Sequence, residues 1–361
     1  MTSVLEGPAS DSEAGKIPAL RERLLEAKDR FPFASITEID SHGIPRSMLV
    51  KQLWYRAGAL VQELERRSPA PDQPLILCFE SSQELLATAW ATILLERDAY
   101  LWQIQLDGTT EAELDQRVAR IRASLKEGVL ITRSFLAHHP QLQSLQEAEP
   151  ALVIDQLPMP RDFAETAPSS GRKAAFFLDT SGTTGMPKIG VLTHRALSER
   201  KQFLSTPDPT SSRLSQLSFD SITGLGALIP NRNRLYLLHP HRFTRDPWSY
   251  LRIAAEYQVE NLVLSSSFAE HLLQQNYDGQ LEGALGGLKA IAFGLEQIVS
   301  ETIWKAMDLM DTLAGHPVDM GIGYGMTETG LLTATDVAAP AKLLPPRGSS
   351  QPVSVGSCIA G

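Results

Sequence analysis

The sequence predicts an α/β protein built from two adjacent, mostly parallel sheets sandwiched by helices. Short, wholly apolar runs alternate with amphipathic segments, which is typical of parallel strands covered on both faces. The chain has 361 residues, of which 43% are apolar, enough for more than one α/β unit. A polar stretch rich in proline and serine, residues 158–173, separates two regions with this same rhythm. We therefore expect two α/β subdomains joined by a surface connection.

The first region contains the clearest helical periodicity. Leu49, Leu53, Ala57, Leu60 and Leu64 recur every three to four residues, which predicts a helix over residues 48–67. The remaining pattern predicts further helices over residues 82–96 and 115–126, and strands over residues 75–79, 99–104, 128–132 and 152–155.

The second region repeats the alternation. We predict strands over residues 174–178, 188–192, 234–238, 261–264 and 288–293, and helices over residues 198–203, 248–257, 268–275 and 301–314. After Gly330 the composition is loop-like. The predicted division is a loose N-terminal lead-in (1–30), a first α/β subdomain (31–165), a second one with the candidate site motifs (166–340) and the start of a truncated third (341–361).

Charge and composition exclude several classes of function. The formal net charge of −9 argues against a nucleic-acid partner and against attraction to anionic membranes. There is neither an apolar run long enough to span a bilayer nor a signal-peptide pattern, so we expect a cytoplasmic protein. Cys78 lies in the apolar run LILCF, far along the chain from Cys358, which predicts a buried reduced thiol rather than a disulfide framework.

A loop rich in serine, glycine and threonine follows the apolar strand at residues 174–178. In FFLDTSGTTGMPKIGVLTH, residues 176–194, this loop ends at Lys188. Backbone amides left open by glycines, hydroxyl donors and a compact positive charge are groups that bind phosphate oxygens. The P-loop pattern does not fit, because the spacing from Gly182 to Lys188 differs and Ile189 stands where a serine or threonine would bind magnesium. The stretch predicts a polyphosphate-binding loop of another kind.

Two further motifs follow in order: LKAIAFGLE at residues 288–296 and GYGMTETG at residues 323–330. With TSGTTGMPK, they resemble the signatures of the adenylate-forming superfamily, which includes acyl- and aryl-CoA ligases, luciferases, fatty-acyl-AMP ligases and the adenylation domains of nonribosomal peptide synthetases. SVGSCIAG, residues 354–361, resembles the start of the next family signature. The resemblance covers residues 33–361.

The resemblance implies ATP and Mg²⁺ as cofactors and a role for each motif. Tyr324 would lie against the adenine, Thr327 would hydrogen-bond the α-phosphate and Glu328 would hold Mg²⁺, roles that suit an aromatic face, a hydroxyl and a carboxylate. With Lys188, Thr327 and Glu328 form the expected catalytic set. The other residues expected to bind the nucleotide are Thr180, Ser181, Gly182, Thr183, Thr184, Gly185, Gly294, Leu295, Glu296, Gly323, Gly325 and Met326.

The sequence departs from the family pattern at two positions. Ile189 replaces the glycine that usually follows the lysine, and Leu295 replaces the middle residue of a Gly-Gly-Glu or Gly-Ala-Glu motif. Neither change removes a phosphate ligand. We expect a tighter pocket near the α-phosphate.

The segment LSFDSITGLGALI, residues 217–229, is the best indication of the substrate. By resemblance, Phe219, Asp220, Ser221 and Gly224 line the acid pocket. Asp220 matches the aspartate that pairs with the α-ammonium in amino-acid-activating domains. The segment also matches Asp-His-Val-x-Gly-Leu of acyl-adenylating loaders in polyketide and mixed polyketide–peptide assembly lines, with Ser221 in place of histidine. We favour the loader branch, and Asp220 has two interpretations, a recognition group for a cation or a helix cap.

The resemblance implies that a small carboxylic acid attacks the α-phosphorus of MgATP and that the acyl group then passes to a phosphopantetheine thiol on an acyl or peptidyl carrier protein. CoA is the alternative acceptor, and a non-catalytic nucleotide- or acyl-binding module is the alternative from another class. Family members continue into a C-terminal adenylation subdomain with a catalytic lysine, which these 361 residues lack, so we expect little turnover from this chain alone.

The histidines and tryptophans favour structural roles. His138, His139, His239 and His241 have no cysteine or carboxylate at metal-ligand spacing, which argues against a zinc site. His194 matches a family position, and we expect it to be structural rather than catalytic. Trp54, Trp90, Trp102 and Trp248 lie on apolar faces and are expected in the core.

Overall fold

Two adjacent mixed sheets flanked by helices make up the computed structural model, as the sequence predicts. It describes residues 18–40, 42–67, 70, 72–106, 109–125, 127–146, 150–157, 163, 174–180, 188–199, 210–215, 219, 224–238, 246–275, 279–294, 299–326, 330–334, 338–348 and 357–358. Neither sheet closes into a barrel within these residues.

The strands are short, and those in the middle of the six-stranded sheet are buried on both faces. They are β1 (Ser35–Ile39), β2 (Pro45–Leu49), β3 (Leu75–Phe79), β4 (Ala99–Gln103), β5 (Val129–Thr132), β6 (Leu152–Val153), β7 (Ala175–Thr180), β8 (Lys188–Thr193), β9 (Ser212–Ser215), β10 (Arg234–Leu238), β11 (Asn261–Ser265), β12 (Ala290–Gly294), β13 (Asp319–Met326), β14 (Gly330–Ala334) and β15 (Ser357–Cys358).

The helices begin and end at conventional signals. Thr110 and Glu113 form a capping box at the start of α4, and Gly315 ends α9 in the left-handed region that glycine favours. The helices are α1 (Leu20–Arg30), α2 (Val50–Arg67), α3 (Ser82–Leu94), α4 (Glu111–Ser124), α5 (Ser134–Ala137), α6 (His194–Glu199), α7 (Trp248–Glu256), α8 (Ser266–Gln274), α9 (Ser300–Ala314) and α10 (Pro340–Leu343).

The six-stranded sheet has the order β6-β5-β3-β4-β7-β8. Its pairs are parallel except for β7 and β8, which form an antiparallel hairpin. The nine-stranded sheet has the order β15-β14-β13-β12-β11-β9-β10-β1-β2, with a parallel centre from β13 to β1 and antiparallel strands at both sides. The parallel centres place the carboxyl ends of most strands at one edge of each sheet.

Three apolar clusters hold the layers together. The largest packs α1, α2 and α3 against strands of both sheets, so these helices lie in the layer that the sheets share. The second packs α7, α8 and α9 on the nine-stranded sheet, and the third packs α4 on the six-stranded sheet. Burial of both faces explains why β3 and β4, in the middle of the six-stranded sheet, are buried at every position instead of at alternating ones.

The two sheets do not divide the chain at residue 165. β1 and β2, early in the chain, belong to the nine-stranded sheet, because β1 pairs in parallel with β10. β7 and β8, after residue 165, complete the six-stranded sheet. The surface connection at residues 158–173 lies outside the described residues except for Phe163, which packs on Trp54.

The region before residue 50 differs most from the sequence prediction. Residues 20–30 form α1 instead of a loose lead-in, and Leu20, Leu24 and Ala27 bury one face of it. The predicted helix 48–67 begins only at Val50, because residues 45–49 form β2 against β1. Both β1 and β2 escaped prediction. Their side chains do not form apolar runs, and tertiary pairing overrides that weak local signal.

The C-terminal part is also more ordered than its loop-like composition predicts. β14, α10 and β15 follow Gly330. The predicted helix 198–203 is replaced by α6, which ends at Glu199, and the rest of the predicted range lies outside the described residues. The unpredicted strand β9 and the long strand β13 fill the centre of the nine-stranded sheet.

Several side-chain predictions are confirmed. Cys78 is a buried reduced thiol, and Trp54, Trp90, Trp102 and Trp248 are all in the core. In the part of the chain that the structure describes, no helix combines the length and apolar character needed to cross a bilayer.

Candidate active site

The predicted site residues follow strands that end at the carboxyl edges of the two sheets. β7 leads into the Ser/Gly/Thr loop, and its neighbour β4 ends at Gln103. β9 leads toward Phe219, β12 ends at Gly294, and both belong to the parallel centre of the nine-stranded sheet. Ligands of open α/β sheets bind at such edges. The topology therefore groups the predicted phosphate, adenine and acid segments at carboxyl edges.

The predicted phosphate loop is closed by a hairpin of β7 and β8. Thr180, the last residue of β7, is directly opposite Lys188, the first residue of β8. The intervening Ser181, Gly182, Thr183, Thr184 and Gly185 lie outside the described residues. Lys188 is exposed at the carboxyl edge, so its ammonium is accessible to an anion from solution.

Asp179, one residue before the end of β7, is held by two arginines of α4. Its Oδ2 lies 2.9 Å from Nε of Arg117 and 3.2 Å from a terminal guanidinium nitrogen of Arg120. All three side chains are about one-fifth to one-quarter exposed, with relative areas of 19%, 21% and 26%. We call these three residues the Asp179 clamp. It fixes the strand end from which the phosphate loop leaves.

Arg117 is itself held in place by aromatic neighbours. Its Nε lies 3.0 Å from the hydroxyl of Tyr100, and its guanidinium carbon lies 4.8 Å from the ring centroid of Trp102. Burial raises the pKa of Tyr100, so the hydroxyl stays protonated. The clamp is therefore attached to β4 as well as to β7.

The predicted adenine side contains a close approach between two strands. A Cβ added to Gly294 would lie 2.7 Å from the carbonyl oxygen of Gly323 on the neighbouring strand β13. Only glycine fits there without a shift of the backbone. Gly323, Tyr324, Gly325 and Met326 form the end of β13, and the register against β14 shifts between Tyr324 and Gly325. Leu295, Glu296, Thr327 and Glu328 lie outside the described residues.

The predicted acid segment is anchored at its start by Gln103. The backbone N–H of Phe219 donates a 3.0 Å hydrogen bond to Oε1 of Gln103, and Nε2 of Gln103 donates to the carbonyl of Glu80 and, at 2.7 Å, to Oγ of Ser82. Phe219 is buried in the cluster between the sheets. Asp220 and Ser221 lie outside the described residues, and Gly224 begins a short 3₁₀ turn.

The end of the same segment is anchored by Trp90 of α3. Its indole Nε1 donates a 2.7 Å hydrogen bond to the carbonyl oxygen of Leu228, and its ring is fully buried. Leu225, Leu228 and Ile229 pack in the same cluster. The sequence predicts Trp90 as a core residue only, and a buried indole needs such an acceptor.

A buried carboxylate, Glu38, links the two sheets beside this segment. It accepts 2.6 Å hydrogen bonds from Oγ of Ser81 and from the backbone N–H of Ser82, at the start of α3. Burial, which outweighs these hydrogen bonds, raises the pKa of Glu38. Since Ser82 also contacts Gln103, a continuous hydrogen-bonded chain runs from β1 to Phe219.

His194 lies away from the site. It follows β8, which runs antiparallel to β7, and its backbone N–H bonds to Ala174 just before β7 begins. The ring is buried against Phe176, with centroids 4.7 Å apart. His194 is thus at the edge opposite the phosphate loop, in accord with the structural role expected for it.

The buried imidazole predicts a pH dependence of stability. Burial lowers the pKa of His194 from 6.5 to about 4, with a small opposing effect from Glu96. Because the pKa of this imidazole is lower in the folded state than in the unfolded state, its contribution to stability is complete above the unfolded-state pKa. That contribution is lost as the pH falls toward the folded-state pKa. Between pH 7 and pH 5 we expect the free energy of unfolding, measured by urea titration, to fall by about 1 to 2 kcal/mol in the wild type. This fall should be absent in the His194→Gln variant. Parallel curves for the two proteins would contradict this expectation.

Several residues of the site were not found from the sequence. Gln103 ends an otherwise apolar strand and Asp179 lies one residue before the end of another, so a polar residue near a strand end was an available signal for both. Arg117 and Arg120 could not be distinguished from the other charged residues of α4 in the sequence. No set of three or more potential metal ligands occurs among the described residues. Glu328, the expected magnesium ligand, lies outside the described residues.

The predicted phosphate hairpin and the predicted acid segment thus lie at carboxyl edges of the two sheets of an α/β fold. The family model described as AMP-binding enzyme matches residues 55–361. This chain belongs to the AMP-binding enzyme family.

Relatives from different branches of that family are similar to this chain. FadD21 of Mycobacterium tuberculosis, which carries the name of a fatty-acid–CoA ligase, is 23% identical over 347 residues, covering 90% of this chain and 58% of FadD21. The phosphinothricin tripeptide synthetase PhsC of Streptomyces viridochromogenes is 25% identical over 313 residues, covering 84% of this chain and 26% of PhsC. The chain thus spans little more than half of one relative and about a quarter of the other.

A solved structure shows the same fold. The fatty acyl-adenylate ligase from L. pneumophila, in complex with acyl adenylate and pyrophosphate, superposes with a TM-score of 0.75 at 19% sequence identity. The match covers 88% of this chain and 57% of the ligase.

Proposed function

We propose that this chain provides the ATP- and acid-binding part of an enzyme that activates a carboxylic acid as an acyl adenylate. The observation that carries the proposal is the adjacency of two segments. The phosphate hairpin leaves β7, and the acid segment is hydrogen-bonded to the end of its neighbour β4. A carboxylate held by the second segment would lie beside a triphosphate held by the first.

The proposed reaction needs positioning and charge stabilisation rather than a covalent intermediate on the protein. The substrate carboxylate attacks the α-phosphorus of ATP, the bond to the bridging oxygen breaks, and acyl-AMP and pyrophosphate form. Lys188 and the hydroxyls of the loop would bind the β- and γ-phosphates, and Thr327 would bind the α-phosphate. Mg²⁺, held by Glu328, would neutralise phosphate charge.

The acceptor in the second half-reaction is proposed to be a phosphopantetheine thiol on a carrier protein. The thiol would attack the acyl carbonyl carbon and release AMP. The loader-like pattern of residues 217–229 supports a carrier over CoA, and PhsC, a peptide synthetase, supports the same choice. FadD21 supports CoA as the alternative.

Pyrophosphate exchange by the full-length protein tests the proposed function. We expect exchange of labelled pyrophosphate into ATP that depends on one class of carboxylic acid. Acid-dependent exchange supports acyl adenylation. Tight binding of an acyl-AMP mimic in a calorimetric titration without any exchange would instead identify a non-catalytic binding module.

A substitution of Glu328 tests the proposed metal ligand. An amide is a weaker ligand than a carboxylate for a hard cation, so Glu328→Gln should raise the Mg²⁺ concentration for half-maximal exchange by about tenfold. The measurement is exchange rate against free Mg²⁺ at saturating ATP and acid. An unchanged half-saturation value would assign Glu328 a structural role.

A neutral replacement distinguishes the two possible roles of Asp220, recognition of a cation and capping of a helix. If Asp220 pairs with a cationic group on the acid, Asp220→Asn should lower kcat/KM for a cationic acid by at least about tenfold, roughly 1.4 kcal/mol, and spare an isosteric neutral acid. If Asp220 is a helix cap, the ratio of the two kcat/KM values should stay fixed. The experiment therefore decides between both interpretations of this carboxylate.

A further inference from the structure

We propose that Gln103 and Trp90 are positioning residues that hold the two ends of the acid segment and thereby set the acid selectivity of the proposed reaction. The inference rests on the proposed function, because only there does the segment face an acid. Its structural basis is independent of that function. Gln103 ends β4 of the six-stranded sheet and Trp90 lies on α3 in the layer between the sheets, whereas the segment follows β9 of the nine-stranded sheet.

The amide of Gln103 is fixed in one orientation by its partners. Nε2 lies beside the carbonyl oxygen of Glu80, which can only accept, so the opposite atom must be the oxygen that receives the N–H of Phe219. The residue is only 3% exposed, so these bonds do not compete with bulk water. A residue without an acceptor at this position would leave the buried N–H of Phe219 without its partner.

Trp90 acts at the other end through a single group. An indole has one donor and no acceptor, and here it is used on the carbonyl of Leu228. The rest of the ring fills the cluster between the sheets. Phenylalanine would keep most of this packing and lose the hydrogen bond.

The Gln103 anchor and the predicted phosphate loop share a frame of two paired strands, β4 and β7. Gln103 ends β4, whose neighbour β7 carries the loop, and the Asp179 clamp joins the same two strands through Tyr100 and Arg117. Displacing the acid segment relative to this frame would separate the carboxylate from the α-phosphorus. Small displacements of reacting groups are costly in rate. The anchors should therefore affect use of the acid more than use of ATP.

The test uses Gln103→Met and Trp90→Phe in the full-length protein. Hydrogen exchange measured by mass spectrometry should show faster exchange in the peptide containing Phe219 for Gln103→Met. In pyrophosphate exchange we expect both variants to raise KM for the acid at least tenfold and to shift acid selectivity, with KM for ATP changed less than twofold. Ser82→Ala, which removes one partner of the Gln103 amide, should give a smaller change in the same direction.

Gln83→Met is the matched control. Gln83 is equally buried and donates to the carbonyls of Ile36 and Arg46, but it bonds to strands β1 and β2 instead of the acid segment. It should lower thermal stability without changing the acid selectivity. If Gln103→Met and Gln83→Met have the same effects, or if both KM values rise together, Gln103 is only a structural residue and the inference is overturned.

A failure of the proposed function gives a different result. A wild-type protein without acid-dependent exchange would contradict acyl adenylation and with it the effect on selectivity. Faster hydrogen exchange at Phe219 in Gln103→Met would then still establish the anchor. Unchanged exchange at Phe219 would refute the anchor whatever the catalytic result.

Discussion

Replacing Asp179 by asparagine is expected to lower the free energy of unfolding by about 2 to 3 kcal/mol. The substitution keeps the shape of the side chain but removes the negative charge between two guanidinium groups. Removing one partner of a fully buried ion pair typically costs about 3 to 5 kcal/mol, and these side chains are about one-fifth to one-quarter exposed, so solvent reduces the cost. Arg117 and Arg120 would also be left to repel each other.

Urea titrations of wild type and Asp179→Asn measure this loss, and the chain offers a matched control. Asp308 pairs with Arg347 on the surface, where both side chains are about half exposed. Asp308→Asn should change stability by less than about 1 kcal/mol. Equal effects at the two sites would show that the Asp179 clamp is no stronger than a surface ion pair.

Replacing Lys188 by alanine is expected to lower kcat/KM for ATP by roughly 10- to 150-fold. This range corresponds to about 1.5 to 3 kcal/mol, the usual contribution of a hydrogen bond to a charged group. Lys188 is exposed at the start of β8, opposite Thr180, so the loss should appear in catalysis and not in folding. Pyrophosphate exchange at varied ATP gives the kinetic constants, and thermal unfolding checks the fold.

Lys305→Ala is the control for the loss of a lysine. Lys305 is exposed on α9 and lies 3.6 Å from Glu301 in the same helix, away from the carboxyl edge of the six-stranded sheet. We expect its kcat/KM for ATP to match wild type. If Lys188→Ala also matches wild type, the phosphate-loop assignment fails. Thr184→Ala should reproduce the direction of the Lys188 result, because its hydroxyl is proposed to bind the same phosphates.

Local patterns sufficed for the buried strands of the six-stranded sheet and for the helix α2. The strand from Leu75 to Phe79 could be predicted because burial on both faces requires an unbroken apolar run. The helix α2 could be predicted because burial on one face requires apolar residues at every third or fourth position. β1 and β2 show neither pattern in their sequences. Their conformation depends on pairing with β10, a strand far along the chain, and no local pattern encodes that contact.

The residues of the candidate site also fall into two groups, those that local motifs predict and those that depend on distant contacts. Lys188 and Gly294 could be predicted as site residues because their motifs are contiguous in the sequence. Gln103 and Asp179 were missed because their roles depend on partners elsewhere in the fold, Phe219 in one case and two arginines of α4 in the other. Positioning residues of this kind become visible only when the chain is folded.

The pairing of β1 with β10 also affects the order of events during synthesis. Ser35 is opposite Arg234, so a ribosome must add about 200 residues, at roughly 5–20 residues per second, before β1 meets its parallel neighbour. For about 10 to 40 s the β1–β2 hairpin presents an open strand edge to other nascent chains. The nine-stranded sheet therefore cannot assemble in the order in which its strands emerge, and its first strands are the ones most exposed to mispairing and to capture by a chaperone.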